Sequence, residues 1–286
     1  MADISRKPPL PVKRQLRQEA LFGCCCCGNP IIQYHHIIPF AELKHHDLKH
    51  MMCVCPLCHD KITAGAMPES EQRAAKARPY NMSHEFVEGQ LVINSKQLVV
   101  NLAGNWFFGS GLKLAVDNKP LLELSEDDRG RLQLSVELYD EHDQLLALIE
   151  RNSWISGDPA AWDIEFRYQW LRIRAKSHRI SLTVDVGVEP VKLSGRLWRA
   201  GRDFRITEQQ LTIDSRGLNN SYENLGFAFL GFNVNSISRK ASIVADRIQG
   251  EGKFFAWPNT CSDRIEYGLK FCEQIRANSL LSQKNK

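Results

Sequence analysis

The sequence predicts an α+β protein in which a small cysteine-rich domain precedes a larger, mostly antiparallel β domain and a C-terminal helix. Three observations support this fold class. Seven of the nine cysteines fall between residues 24 and 58. Short β-rich segments separated by turn residues recur between residues 86 and 258, a pattern typical of a sandwich-like domain or a β-roll. After Ser262, the apolar residues Ile265, Leu269, Cys272 and Ile275 repeat at helical spacing.

The composition is that of a folded, water-soluble protein. Of the 286 residues, 43% are hydrophobic and 24% are charged, which excludes wholesale disorder. No run approaches the roughly 18 apolar residues of a membrane span, and no apolar segment of the signal-peptide type follows the basic start. We therefore expect a cytoplasmic protein, and clustered thiols in a reducing compartment favour metal binding over disulfides.

The chain divides into four predicted parts. These are a basic, proline-containing arm (residues 1–14), the cysteine-rich domain (15–85), the β-rich domain (86–258) and the C-terminal helix and tail (259–286). Charge is uneven within the β-rich domain. Residues 111–150 contain ten acids and four bases, a net charge of −6, whereas residues 165–205 contain ten bases and four acids, a net charge of +6. We expect these segments to attract one another, within one chain or between the copies of a homo-oligomer.

Two CxxC pairs predict a structural zinc site. The four predicted ligands are Cys24, Cys27, Cys55 and Cys58. Tetrahedral Zn²⁺ takes four thiolates or imidazoles, and two CxxC turns supply four thiolates with little strain. In the run CCCCG, only the outer cysteines have the required gap, so Cys25 and Cys26 are expected to fill the turn. The alternative is a redox-active thiol cluster, but no thioredoxin-like βαβ pattern surrounds the cysteines.

Histidines accompany both cysteine pairs. YHHIIPF lies between the pairs, and CPLCHDKIT contains the second pair. With CxxCG, HHIIP, a polar loop and VCxxCHxK in this order, residues 15 to 65 resemble the HNH family of nucleases. The resemblance implies a zinc-containing ββα-metal fold. It also implies a metal-dependent endonuclease that hydrolyses DNA, most simply double-stranded DNA, and leaves 5′-phosphate and 3′-hydroxyl ends.

The resemblance also implies roles for individual residues. His36 matches the general base that activates water, and His35 and His59 match ligands of the catalytic Mg²⁺ or Mn²⁺. His50 occupies the position of the family's middle Asn, which orients the loop and the base; Asp47 is an alternative for this role.

The strand geometry sets a condition on the first two of these roles. Consecutive strand side chains point to opposite faces, so His35 and His36 share one site only where the strand ends or bulges. Pro39 favours such an ending. His45 and His46, in the polar loop over residues 40–50, are expected to be solvated.

Basic residues outside the motif supply candidates for nucleic-acid contacts. In the arm and just after it these are Lys7, Lys13, Arg14 and Arg17. In the β-rich domain, Arg167, Arg172 and Arg174 lie among Phe166, Tyr168 and Trp170, a mixture suited to binding nucleic acid. The alternation of WLRIRA favours the other interpretation, an ordinary sheet with a solvated basic face and an aromatic core face.

Two functions follow from these observations. The first is an HNH endonuclease with a C-terminal sensing or assembly domain, an organisation that the resemblance associates with bacterial defence against phage. The second is a non-catalytic zinc module that binds nucleic acid.

Overall fold

A computed structural model describes the chain continuously over residues 5–84 and in separate stretches thereafter. The later stretches are 86–88, 98–102, 104–108, 111–127, 132–155, 162–208, 211–215, 218–222, 226–228, 232–237, 240–245, 253–255, 263, 265–271 and 273–274. Helices and a large, mostly antiparallel sheet coexist with a four-cysteine cluster, so the predicted α+β class is confirmed.

Over the described residues 5–84 the chain forms four α-helices and one hairpin. The helices are α1 (Leu10–Glu19), α2 (Phe40–Leu43), α3 (Pro56–Thr63) and α4 (Glu69–Ala77), and Leu48–His50 and Tyr80–Met82 are 3₁₀ turns. Strands β1 (Gln33–His36) and β2 (Met51–Val54) pair antiparallel, with His35 opposite Met52 and His36 opposite Met51. The hairpin, followed directly by α3, places the histidines of β1 beside the start of that helix.

The remaining strands form the β-rich part. They are β3 (Phe86–Glu88), β4 (Val99–Leu102), β5 (Asn105–Phe108), β6 (Gly111–Val116), β7 (Lys119–Glu126), β8 (Leu132–Tyr139), β9 (Leu145–Glu150), β10 (Ser153–Ile155), β11 (Asp163–Arg167), β12 (Trp170–Lys176), β13 (Arg179–Asp185), β14 (Val191–Arg199), β15 (Arg202–Ile206), β16 (Leu211–Ser215), β17 (Leu218–Tyr222), β18 (Gly226–Ala228), β19 (Phe232–Ile237), β20 (Lys240–Ala245) and β21 (Lys253–Phe255). Strands β6 to β10 and β11 to β17 form two antiparallel meanders. Parallel pairs β4–β14, β5–β18 and β6–β19 connect distant parts of the chain.

Two main hydrophobic clusters lie in the two parts of the molecule. The larger contains alternate residues of the β-rich strands, such as Leu171 and Ile173 of β12. The smaller lies between α1, the hairpin and α3, and includes Leu16, Met52 and the buried cysteines. Since much of the smaller cluster is thiol, its apolar area is small. Small cores of this kind commonly need a metal for stability.

A buried ion pair joins the two parts. The guanidinium of Arg17, on α1, donates to both carboxylate oxygens of Asp163, on β11, at 2.8 and 2.7 Å. Burial disfavours the charged form of Arg17, but the hydrogen bond to Asp163 and the electrostatic attraction of Tyr34, Asp163 and Glu165 together outweigh this cost and raise the arginine pKa. The side-chain amide of Gln18 also donates to the carbonyl of Trp162 at 2.6 Å. Arg17 is therefore a structural residue, and its assignment to phosphate binding was wrong.

Helix α1 includes the end of the proline-containing arm. It runs from Leu10, with Pro9 as its N-cap and Pro11 in its first turn. Proline is tolerated in the first turn because the N–H groups there have no partner within the helix. The helix therefore begins within residues 1–14, and Lys13 and Arg14 are fixed on it.

The oppositely charged segments of the β-rich part pair within one chain. Glu141 contacts Lys176 at 3.2 Å and Arg179 at 2.5 Å. Arg199 contacts Glu137 at 2.6 Å, and Arg202 contacts Asp117 at 2.8 Å. Pairing inside the chain satisfies these charges without a second copy.

The predicted C-terminal helix is present over residues 265–271, where Tyr267 and Leu269 pack with Phe108 of β5. A Cβ at Gly268 would overlap the Phe108 ring, so this face of the helix approaches β5 closely. The predicted contacts of Cys272 and Ile275 lie outside the described residues. Within the described parts of the chain, none of the helices has the length and apolar composition that a membrane span requires.

Gly195 of β14 lies too close to the neighbouring strand to carry a side chain. Its φ is +146°, and a Cβ there would overlap the backbone carbonyl of Ser181 on β13. We expect Gly195→Ala to lower the free energy of unfolding by about 2 kcal/mol or more, because neither the backbone conformation nor the neighbouring strand tolerates the methyl group. Urea unfolding measures the loss. Gly187→Ala is the control, since a Cβ there meets only ordinary or slightly tight side-chain contacts; equal losses in both variants would contradict the prediction.

Candidate metal centre and histidine site

The four cysteines predicted as a metal site lie together. The Sγ atoms of Cys24, Cys27, Cys55 and Cys58 are all within 4.8 Å of one another. Cys27 Sγ is 3.6 Å from Cys55 Sγ and 3.8 Å from Cys58 Sγ. Four sulfurs placed about 2.3 Å from a tetrahedral Zn²⁺ are about 3.8 Å apart. The donor set and its spacing therefore fit a metal such as zinc.

Local backbone structure positions both cysteine pairs. In the first pair, Gly28 adopts a φ of +75° and its N–H donates to the carbonyl of Cys24 at 2.8 Å, which closes the turn. In the second pair, Cys55 is the N-cap of α3, and its sulfur accepts the N–H of Cys58 at 3.4 Å. Pro56 fits the first helical position because that residue needs no N–H partner. Each pair thus forms its turn from local sequence alone.

The other three cysteines of the window lie outside the four-sulfur group. Burial raises the pKa of Cys25 to about 11 and holds that of Cys53 well above its usual range, which keeps both thiols protonated at neutral pH. The Sγ of Cys26 is 3.9 Å from the sulfur of Met67. These residues pack the cluster, as the sequence indicated for Cys25 and Cys26.

His35 and His59 are neighbours. Their ring centroids are 5.1 Å apart in an edge-on arrangement. His59 immediately follows Cys58 on α3, so the four-cysteine group fixes its position relative to β1. Nε2 of His35 lies 3.1 Å from Oε1 of Gln72 on α4, and the Gln72 amide donates to the carbonyl of Met67 at 3.0 Å. Burial, followed by the proximity of His59, lowers the pKa of His35.

His36 contacts a different set of side chains. Its Nε2 lies 3.2 Å from Nδ1 of His46, and its ring packs edge-on against Phe40 at 5.4 Å. Burial, followed by His46 and Arg6, lowers the pKa of His36 and favours the neutral imidazole. The pairing register of β1 is regular through His36, so the expected alternation of strand side chains separates His36 from His35 and His59.

The structure places His46 against β1 and not in an irregular loop. The prediction of a solvated His46 in an irregular loop was wrong, because a short helix, α2, turns the loop back over β1. His46 stacks on Phe40 at 5.2 Å and its Nε2 lies 2.9 Å from the carbonyl oxygen of Ser5. The aromatic residue six positions before His46 was the available signal. His45, by contrast, is exposed and contacts only the nearby carbonyl of Leu43.

The hydrogen bonds assign a tautomer to His36. A carbonyl oxygen only accepts, so Nε2 of His46 must carry the proton donated to Ser5. In neutral His46, Nδ1 is then an acceptor, and Nε2 of His36 must donate to it. Nδ1 of His36 keeps its lone pair, which makes it the basic atom of this imidazole.

His50 contacts neither His35 nor His36. Its Nδ1 lies 3.4 Å from the guanidinium of Arg73, and its Nε2 lies 3.9 Å from the carboxylate of Asp47. Its backbone carbonyl accepts the N–H of Ile37 at 2.8 Å, which joins the end of β1 to the turn before β2. His50 thus orients the loop through its backbone, and the neighbour of His36 that could orient its ring is His46.

An open surface cavity of about 610 Å³ lies beside His46. Helix α1 lines one side with Val12, Gln15 and Glu19, and the segment from His45 to Lys49 lines the other together with Lys76. The cavity gives a ligand access to the histidine that supports His36.

Comparison with known proteins gives one match to a curated protein. Over 57 residues the chain is 32% identical to anaredoxin from Nostoc sp. strain PCC 7120, and the match covers 75% of anaredoxin. The chain belongs to the anaredoxin family. Because the similarity to anaredoxin covers 19% of this chain, much of the β-rich part lies outside it. No family model matches the chain, and no solved structure matches it.

Proposed function

We propose that residues 15–85 form an HNH-type, metal-dependent endonuclease domain that hydrolyses DNA. The observation that supports this most is the position of His59. It follows a cysteine of the four-sulfur group and lies 5.1 Å from His35. In the proposal, structural zinc holds the hairpin and α3 together, and this holds the two imidazoles at a spacing suited to a second cation.

The proposed roles follow from the chemistry of phosphodiester hydrolysis. His35 and His59 would hold Mg²⁺ or Mn²⁺, which when bound offsets the charge of the scissile phosphate and of the leaving 3′ oxygen. Nδ1 of His36 takes a proton from the attacking water, and His46 keeps the His36 ring in the required tautomer. The proposal requires the phosphate to lie at the end of β1, within reach of both faces of the strand.

A plasmid-cleavage assay tests the proposal. We expect the purified protein to convert supercoiled plasmid to nicked or linear forms in Mg²⁺ or Mn²⁺. His36→Ala should lower the rate by about 10²- to 10⁴-fold, the usual contribution of a positioned general base. His35→Ala and His59→Ala should raise the concentration of Mg²⁺ or Mn²⁺ needed for half-maximal activity.

His45→Ala is the matched control, because His45 is an exposed histidine of the same loop that contacts only a backbone carbonyl. Bound zinc should be unchanged in all four variants. Equal cleavage by the wild type and His36→Ala would overturn the assigned base. A wild type that binds DNA but never cuts it would favour the alternative, a non-catalytic zinc module.

The match to anaredoxin favours a redox function as the second candidate. This candidate rests on the word redoxin in the name of that protein. Four thiolates in a tetrahedral group also bind iron, so the same site could serve a redox reaction. Metal analysis and the visible absorption spectrum of protein purified without oxygen distinguish the two: a colourless protein with one zinc per chain would contradict the redox function.

A further inference from the structure

The basic segment over residues 165–205 divides into two kinds of surface. From Lys176 onward the segment is largely neutralised, because Lys176, Arg179, Arg199 and Arg202 each contact an acid of the segment 117–141. Before Lys176, Arg174 contacts Glu165 at 3.6 Å. Among the described residues, no acid forms an ion pair with Arg167 or Arg172.

The two arginines without an ion pair lie beside the half-buried ring of Trp170. Leu171 and Ile173 of β12 are fully buried, so Trp170 and Arg172, which alternate with them, lie on the outer face. The guanidinium of Arg172 lies 4.4 Å from the centre of the Trp170 ring, and that of Arg167 lies 5.5 Å from it. The sequence reading that placed the aromatic residues on a core face was therefore wrong for Trp170.

Helix α1 extends this surface. Arg14 lies over the ring of Trp162 at 3.7 Å, and the backbone N–H of Trp162 donates to the carbonyl of Arg174 on β12 at 2.9 Å. Lys13, on the same helix, lies over the ring of Tyr34 at 5.6 Å. We call the resulting surface the Arg–Trp face; it consists of Lys13, Arg14, Trp162, Arg167, Trp170 and Arg172.

The cations of this face lie close enough to repel one another. Burial lowers the pKa of Lys13, and Lys7, Arg17 and Arg167 lower it further, whereas Glu165 raises it. Glu165, opposite Arg172 in the β11–β12 pairing, offsets part of the repulsion. A bound anion would offset more of it.

Two guanidinium nitrogens of the face also lack an acceptor. The Nε atoms of Arg14 and Arg172 are buried and have no hydrogen-bond partner. The nearest carboxylate to Arg14, that of Asp163, lies 3.6 Å from its Nε and already accepts both hydrogen bonds from Arg17.

We propose that the Arg–Trp face binds the phosphate backbone of double-stranded DNA. Stacked guanidinium groups have a fixed plane, and they donate paired hydrogen bonds to phosphate oxygens. The arginines cover the faces of Trp162 and Trp170, which leaves the rings unsuited to stacking on unpaired bases and favours a duplex over a single strand. The choice of DNA rests on the proposed nuclease function, whereas the attraction to an anion follows from the cations of the face itself.

Fluorescence anisotropy of a labelled 20-base-pair duplex, without added Mg²⁺ or Mn²⁺, tests the proposal. Each phosphate contact contributes about 0.9 to the slope of log K against log salt. We expect Arg167→Gln with Arg172→Gln to reduce the slope by about 2 and to raise Kd about tenfold or more near 0.1 M salt. The control is Lys119→Gln with Arg151→Gln, which removes two exposed cations outside the β11–β17 meander; its Kd should change less than about twofold.

Bound metal and the thermal unfolding temperature establish that each variant is folded. Three results would overturn the Arg–Trp face as a DNA-binding surface. They are equal losses of duplex affinity in the two double variants, no duplex binding by the wild type, and an affinity for poly-glutamate equal to that for duplex. A wild type that binds duplex through this face but does not cleave it would overturn the nuclease and leave the face supported. Cleavage at unchanged efficiency by the Arg167→Gln, Arg172→Gln chain would overturn the face and leave the nuclease supported.

Discussion

Cys58→Ser should lose the bound metal and unfold the cysteine-rich part of the chain. Cys58 Sγ lies 3.8 Å from Cys27 Sγ, and Cys24, Cys55 and Cys58 are all buried in the same small core. Structural zinc stabilises small domains by about 10–16 kcal/mol relative to the metal-free, unfolded chain, far more than this core could supply. We therefore expect about one metal ion per chain in the wild type and almost none in the variant. Elemental analysis measures the metal, and thermal unfolding should show a separate, early transition.

Cys26→Ser is the matched control for this experiment. Cys26 belongs to the same CCCCG run but lies outside the four-sulfur group, where its sulfur contacts Met67. It should keep its metal and unfold at nearly the wild-type temperature. Full metal occupancy in Cys58→Ser, or loss of metal in Cys26→Ser, would show that the ligand set differs from the one assigned.

Arg17→Met should lower the free energy of unfolding by about 3–5 kcal/mol. The substitution leaves the Asp163 carboxylate, only 1% exposed, without its two hydrogen bonds from Arg17, and a buried charge deprived of its partner is costly. Asp163→Leu should destabilise by a similar amount for the same reason. The double variant should recover most of the loss, because two apolar side chains of similar volume leave neither charge unpaired. Urea unfolding of the four proteins forms the thermodynamic cycle.

An exposed arginine–glutamate ion pair on α4 serves as the comparison for the buried pair of Arg17 and Asp163. Arg73 contacts Glu69 at 2.6 Å, but their side chains are 40% and 56% exposed. Arg73→Met should therefore cost less than about 1 kcal/mol. The interpretation of Arg17 fails if its substitution costs no more than that of Arg73, or if the double variant loses the sum of both single losses. Because Arg17 and Asp163 lie on α1 and β11, a large coupling would also show that the two parts of the molecule stabilise each other.

The features that the sequence predicted well depend on short spacing. Two cysteines three positions apart, with Gly28 or a helix start beside them, can reach one ion whatever the rest of the chain does. The same holds for β12, whose alternating residues separate core from surface. In these cases a few consecutive dihedral angles determine the side-chain positions.

The assignments that failed depend on folding of the intervening chain. His46 reaches His36 because α2 folds the loop back over β1, and His50 turns instead toward Arg73. Arg17 meets Asp163 across 146 positions, a contact that no local pattern encodes. The bases of residues 165–205 look alike in the sequence, but the fold brings Glu141 within ion-pair distance of Lys176 and Arg179. Glu165 lies opposite Arg172 in the sheet but forms its ion pair with Arg174.

The sequence by itself determined the four thiols, the class of fold and the histidines that accompany the metal site. Only the tertiary structure decided which histidine neighbours which, which arginine is buried and which cations remain available to a partner. The physical reason is that local spacing restricts backbone angles directly, whereas an ion pair or a shared site between distant segments exists only after strand pairing and helix packing have brought those segments together.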